Sequence, residues 1–260
     1  MFKKVKALLT KHLSLSQAGK PKIFSSDVFL VSYPKSGNTW LSFILANLLK
    51  QNKDEIIDFY SVVRYIPELE VHSNHLSQCS HPRVIKSHQL YNKGFPKVIY
   101  CVRDGRDVYV SYYHHLKKRL PVETSFSEFL RKQDLYPSRW HTHVNSWIKQ
   151  SNILLVIKYE DLLRNPYNEV DKINRLVYGS RFNEEEILNA IEWSSFENMK
   201  RLEFERGRAF KSRLDAQKAT TFVRKGIQGD WKNYFSTEDE NFFMLEAGST
   251  LESLGYLDRT

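Results

Sequence analysis

The feature that most restricts this chain is a short apolar run that turns into a helix pattern within a few residues. Residues 27–33 (DVFLVSY) are a short hydrophobic stretch ended by Pro34 and Gly37, the signature of a strand buried on both faces. In residues 39–50 (TWLSFILANLLK) Trp40, Phe43, Ile44, Asn47 and Leu48 fall on neighbouring faces of a helix. The grammar recurs downstream. Residues 83–86, 97–102 and 153–159 read as strands and residues 106–118 as a helix. Strands alternating with helices predict an α/β fold with a mainly parallel central sheet flanked by helices. From about Asn165 the pattern turns mostly helical, with helices expected over 184–191, 196–203 and 237–254 and a basic loop over 206–229.

No Pro-, Gly- or Ser-rich linker and no internal repeat divides the 260 residues. The expectation is an N-terminal basic helix or extension over 1–20 and a single domain over 21–260. The formal charge of +9 points to anionic partners: nucleic acid, a membrane surface or a phosphorylated small molecule. Two cysteines, Cys79 and Cys101, fit a reducing, cytoplasmic setting better than a disulfide-built fold, and they spell no metal set. The opening MFKKVKALLTKHLSL is weakly amphipathic, suiting either an anionic surface or a helix packed on the domain. It lacks the apolar core of a signal peptide. No run approaches the ~20 residues that span a bilayer, so no stable membrane insertion is expected.

Three segments have the chemistry of anion sites. The first is the loop YPKSGNTW (33–40), where a strand-to-helix turn leaves the first helical N–H groups without intrahelical partners. Gly37 permits close backbone approach, Lys35 adds charge, and Ser36 and Thr39 can donate. A plain turn that happens to contain Lys and Gly competes with that reading. The glycine spacing is not that of GxxxxGK[ST], which weakens an ATP- or GTP-hydrolysing reading. The second segment is CVRDGRDVYVS (101–111), which puts Arg103 at a strand's carboxyl end and Ser111 in the next helix. Its alternative is a surface Arg–Asp network. The third is FVRKGIQGDW (222–231), with adjacent cations followed by glycines. Taken singly it is also what a solvated basic loop looks like.

Together these segments resemble the PAPS-dependent cytosolic sulfotransferase family, whose P-loop-like fold binds 3′-phosphoadenosine 5′-phosphosulfate (PAPS). YPKSGNTW resembles its 5′-phosphosulfate loop, CVRDGRDVYVSYYH its 3′-phosphate segment, and RKGIQGDWKNYF its C-terminal nucleotide clamp, in the family's order. The resemblance implies that Lys35, Ser36, Gly37, Asn38, Thr39 and Trp40 hold the 5′ end. Arg103, Ser111, Arg224, Lys225 and Gly226 would hold the 3′-phosphate, and Tyr159, Ser194, Phe196, Met199, Phe222 and Val223 would line the rest of the nucleotide pocket. PRVIKSH (82–88) resembles the catalytic strand and maps the general base onto His88. Imidazole is suited to accept an acceptor's proton near neutral pH. Lys35 and Lys86 would stabilise developing charge, and Ser111 would restrain Lys35. No metal is expected.

The chain departs from the family at Asn38 (often Thr), at Gln89-Leu90 (often Leu-Pro) and at Asp104-Gly105-Arg106 (often Asn-Pro-Lys). The dimer motif of animal members is poorly matched by residues 232–241, leaving monomer or dimer open. The expected activity is sulfuryl transfer from PAPS to a hydroxyl or amine of a small molecule, with no nucleic-acid partner. Alternatives are a P-loop kinase or NTPase and a non-catalytic polyanion-binding protein. Residues 54–80, 117–140 and 206–221 are expected to supply acceptor-side loops. Phe59, Tyr60, Tyr65, Tyr112, Tyr136 and Trp140 are candidates to line the acceptor pocket.

Overall fold

The structure, a computed structural model, describes residues 21–208 and 221–257. The N-terminal basic segment and part of the expected acceptor-side loop over 206–221 lie outside the described residues. Four strands form one parallel sheet in the order β2-β1-β3-β4: β1 (Val28–Ser32), β2 (Val84–Ser87), β3 (Lys97–Val102) and β4 (Ile153–Lys158). Strand β1 lies between β2 and β3, with Val28 opposite both Val84 and Lys97. All five of its residues are buried, which is why VFLVS shows no polar alternation.

Successive side chains of a strand point to opposite faces, and β1 divides accordingly. Val28 and Leu30 enter one apolar cluster, Phe29 and Val31 the other. The first cluster is covered by helices α1 (Asn38–Leu49), α7 (Pro166–Tyr178), α8 (Glu184–Trp193) and α9 (Phe196–Arg206). A short α2 (Val62–Tyr65) follows α1. The opposite face carries α3 (Gly105–Leu116), α4 (Phe126–Leu130), α5 (Trp140–Trp147) and α10 (Thr237–Ser253). A short α6 (Tyr159–Arg164) follows directly on β4. Among the described residues no helix is long and apolar enough to cross a membrane.

Several expected boundaries shift. The catalytic-strand segment pairs over Val84–Ser87 rather than 83–86; Arg83, just before it, places its guanidinium in a buried two-pronged pair with Asp27 at 2.8 and 2.5 Å. The helix expected over 106–118 begins at Gly105, capped by Asp104, and gives way to a 3-10 turn at Lys117–Arg119. Helix α9 runs on to Arg206 into the segment expected to be loop. Helix α4 lies inside the segment 117–140 expected to supply an acceptor-side loop, and α5 begins at its last residue.

Candidate active site

In a parallel sheet the carboxyl ends of all strands lie along one edge, where α/β proteins place their ligands. Here that edge presents the loop after β1, His88 after β2, Arg103 after β3 and Tyr159 after β4. The β1–α1 loop turns tightly enough that both Lys35 (φ 71°) and Gly37 (φ 96°) adopt left-handed backbone. For lysine this conformation costs about 1–2 kcal/mol. At Gly37 it is enforced by space as well, since a Cβ would lie 2.6 Å from the Tyr159 ring. Helix α1 has no side-chain cap at Gly37, which leaves its first N–H groups for a ligand. Ser36 is buried and its Oγ has no partner among the described residues. Asn38 turns inward: its Nδ2 donates to the Leu30 carbonyl at 3.2 Å and to Ser32 Oγ at 3.0 Å, tying the helix start to β1.

Arg103 lies over the Tyr159 ring, 4.4 Å from its centroid. Its Nη2 donates to the Ile227 carbonyl at 2.8 Å. Asp107, one helical turn later, accepts the backbone N–H groups of Gly229 and Trp231 at 2.7 and 2.9 Å. Asp230 pairs with Arg224 at 2.8 Å and with Lys225 at 2.7 Å. Gly226 is left-handed at φ 66°, and a Cβ there would meet the Phe196 ring at 2.7 Å. Arg106, by contrast, faces away from this site into Asp104, the Trp231 ring and the Tyr256 carbonyl.

His88 Nδ1 lies 2.7 Å from the Ser32 carbonyl oxygen. A carbonyl only accepts, so Nδ1 carries the proton and Nε2 keeps its lone pair. Burial, then the Lys86 charge, push the His88 pKa down to about 4. The next residue, Gln89, is fixed through its carbonyl, which accepts from His143 Nε2 and Trp147 Nε1, each at 2.9 Å. Lys86 pairs with Glu68 at 3.0 Å. Burial alone would raise the Glu68 carboxyl, but the Lys86 charge and His88 hold it at about 2. Burial, followed by Arg208, Arg103 and Lys86, brings the Lys35 ammonium down to about 7. That ammonium sits 3.8 Å over the Phe222 ring, and among the described residues no hydrogen bond joins it to Ser111.

These groups surround one cleft of about 350 Å³. Lys35, Gly37, Asn38, Thr39, Trp40, Lys86, His88, Arg103, Ser111 and Tyr159 line it, as do Phe196, Met199, Phe222, Val223, Arg224, Lys225 and Gly226. Two expected residues do not. Ser36 has its side chain buried within the loop, and Ser194 is fully buried with its Oγ accepting from Asn47 Nδ2 at 3.1 Å. Among the described residues no group of three His, Cys, Asp or Glu side chains is placed to hold a metal ion. A second cavity of about 260 Å³ shares Thr39, Lys86 and Phe222 with the first and adds Phe59, Val62, Val63, Ile66 and Glu68. Of the aromatic acceptor candidates, Tyr112 and Tyr136 reach the cleft and Phe59 the second cavity. Trp140 is core, Tyr60 is half exposed, and Tyr65 bonds Glu55. Sequence reasoning missed Glu68 and His115. His115 lies four residues after Ser111 and lines the same cleft, an i, i+4 relation that was available to find it.

The description "Sulfotransferase domain" belongs to the family model that matches residues 25–247. The chain is similar to dog sulfotransferase 1B1, at 34% identity covering 87% of this chain and 85% of the relative. It is similar to the guinea-pig 3-beta-hydroxysteroid sulfotransferase at 32% identity, covering 84% and 80%. Among solved structures, mouse sulfotransferase SULT7A1 complexed with PAP superimposes with a TM-score of 0.67 at 26% identity, covering 93% of this chain and 91% of that one.

Proposed function

Because the chain belongs to the sulfotransferase domain family, we propose that it transfers the sulfuryl group of PAPS to a hydroxyl, or an amine, of a small molecule, with His88 as the general base. The observation that carries this reading is the imidazole's tautomer: Nδ1–H is committed to Ser32, and Nε2 belongs to a side chain that lines the cleft. The residues present suit the donor. A bisphosphorylated nucleotide needs two separated anion sites with an aromatic floor between them. The cleft offers the uncapped loop with Lys35 and Thr39 at one place, and Arg103, Arg224 and Lys225 at another, and the rings of Trp40, Tyr159 and Phe196 line the same cleft.

PAPS supplies the sulfuryl group. The acceptor oxygen forms a bond to sulfur while the bond from sulfur to the 5′-phosphate oxygen breaks, and the electron pair leaves on that phosphate. His88 Nε2 takes the proton that the acceptor loses. Lys35 and Lys86 place positive charge where the negative charge develops, in a cleft where water screens it little. The second cavity, walled by Phe59, Val62, Val63 and Ile66, suits the apolar body of an acceptor next to Lys86.

The test is calorimetric titration with adenosine 3′,5′-bisphosphate against ATP as control. Tight metal-independent binding that Arg103→Ala destroys supports the donor site and opens acceptor screening with PAPS. Binding no better than that of ATP, or binding indifferent to Arg103, overturns it.

A further inference from the structure

The structure assigns Asp107 as a positioning residue that joins Arg103 and the segment 222–231 into one preformed 3′-phosphate site. This inference rests on the donor reading above. Asp107 lies in the first turn of α3 and is 1% exposed. Both of its oxygens are used on the same distant stretch, Oδ2 accepting from Gly229 N–H and Oδ1 from Trp231 N–H. The Arg103 guanidinium lies 3.7 Å from Oδ2 and holds the carbonyl of Ile227, two residues before Gly229. Residues 103–107 thus grip the closing segment by one donor, the Arg103 guanidinium, and by both acceptor oxygens of Asp107.

What the grip controls lies just before it and within it. Asp230, between the two gripped amides, pairs with both Arg224 and Lys225, so the placement of those cations follows the placement of residues 229–231. Gly229 is left-handed at φ 82°, a turn that lets the chain present its own amide and that of Trp231 to one carboxylate. Hydrogen bonds to an ionised acceptor are roughly twice as strong as neutral ones. A carboxylate accepting two part-buried amides therefore orders this glycine-containing segment before any nucleotide arrives, which lowers the ordering cost of binding.

Adenosine 5′-phosphosulfate shares the donor's 5′ end and lacks the 3′-phosphate, so it separates this role from general damage. Calorimetry on the full chain is expected to show Asp107→Asn weakening adenosine 3′,5′-bisphosphate at least about tenfold and the phosphosulfate less than about twofold. Hydrogen exchange on the nucleotide-free wild type is expected to show the Gly229 and Trp231 amides already protected, and it tests the assignment even if the variant does not fold. Equal weakening of both nucleotides, an unchanged bisphosphate affinity, or unprotected amides in the wild type overturns the role of Asp107. A wild type that binds both nucleotides equally overturns the donor reading itself, and the assignment with it.

Discussion

At His88 one short contact decides what the ring can do. The Ser32 carbonyl accepts a hydrogen bond from Nδ1–H, and burial with the Lys86 charge keeps the ring neutral down to about pH 4. His88→Ala is expected to lower turnover by roughly 10²–10⁴-fold while leaving bisphosphate affinity within about twofold; wild-type turnover in that variant would remove His88 from the chemistry. The rate should fall on acidification only as pH passes through about 4, and an acid limb near the ordinary histidine value of ~6.5 would contradict the burial. Lys35 carries a second titration. With its ammonium held at about 7, a bound phosphate should raise it, so nucleotide binding at pH 8 takes up close to one proton. Calorimetry in buffers of different ionisation enthalpy reads that uptake directly, and Lys35→Met should abolish it.

Elements show which parts of this site a sequence can announce. The β1–α1 turn is local: residues 28–40 contain the strand, the left-handed positions and the helix start, so apolar pattern and turn chemistry were enough to find it. Gly37→Ala, strained at φ 96° and crowded by Tyr159, should weaken bisphosphate binding at least about tenfold. Gly179→Ala, left-handed at φ 62° with nothing nearby, should cost only ~1 kcal/mol of stability, read by denaturant unfolding, and leave binding alone. The rest of the site depends on contacts far apart in the chain. Helices α4 and α5 were missed because FSEFL and WHTHVNSW are short and weakly periodic and form against the core. Glu68 meets Lys86 only because residues 67–69 run beside β2, through Lys86 N–H to the Pro67 carbonyl and Leu69 N–H to the Lys86 carbonyl. Asn38 Nδ2 and Ser194 Oγ are used on internal bonds to Ser32 and Asn47, which no motif reveals. Asp27 is the structural counterpart of these: removing it by Asp27→Ala leaves Arg83 buried and unpaired and should cost about 3–5 kcal/mol.

Across the whole molecule, the buried imidazoles set a common acid lability. His88 is held at about 4, and His115 and His143 at about 3, in each case by burial first. The unfolded chain binds these protons near pH 6.5 and the folded chain does not, so stability is lost as pH falls from about 6.5 toward 3. The depressed carboxyls of Glu68 and Asp230, each at about 2, extend the loss below pH 4.5. Melting temperature should therefore drop measurably between pH 7 and 5, and a flat profile there would count against the buried neutral histidines. The strand order has a different consequence, one of layout. Neighbouring strands in a sheet stand about 4.8 Å apart, so the sheet edge works as a graduated scale on which His88, the phosphate loop, Arg103 and Tyr159 occupy consecutive marks. In the proposed function three of those marks go to the nucleotide and His88 faces the acceptor. On that reading the acceptor belongs on the β2 side of the scale, where residues 67–69 run beside the strand, and acceptor choice is set there rather than along the span from the β1 loop to Tyr159.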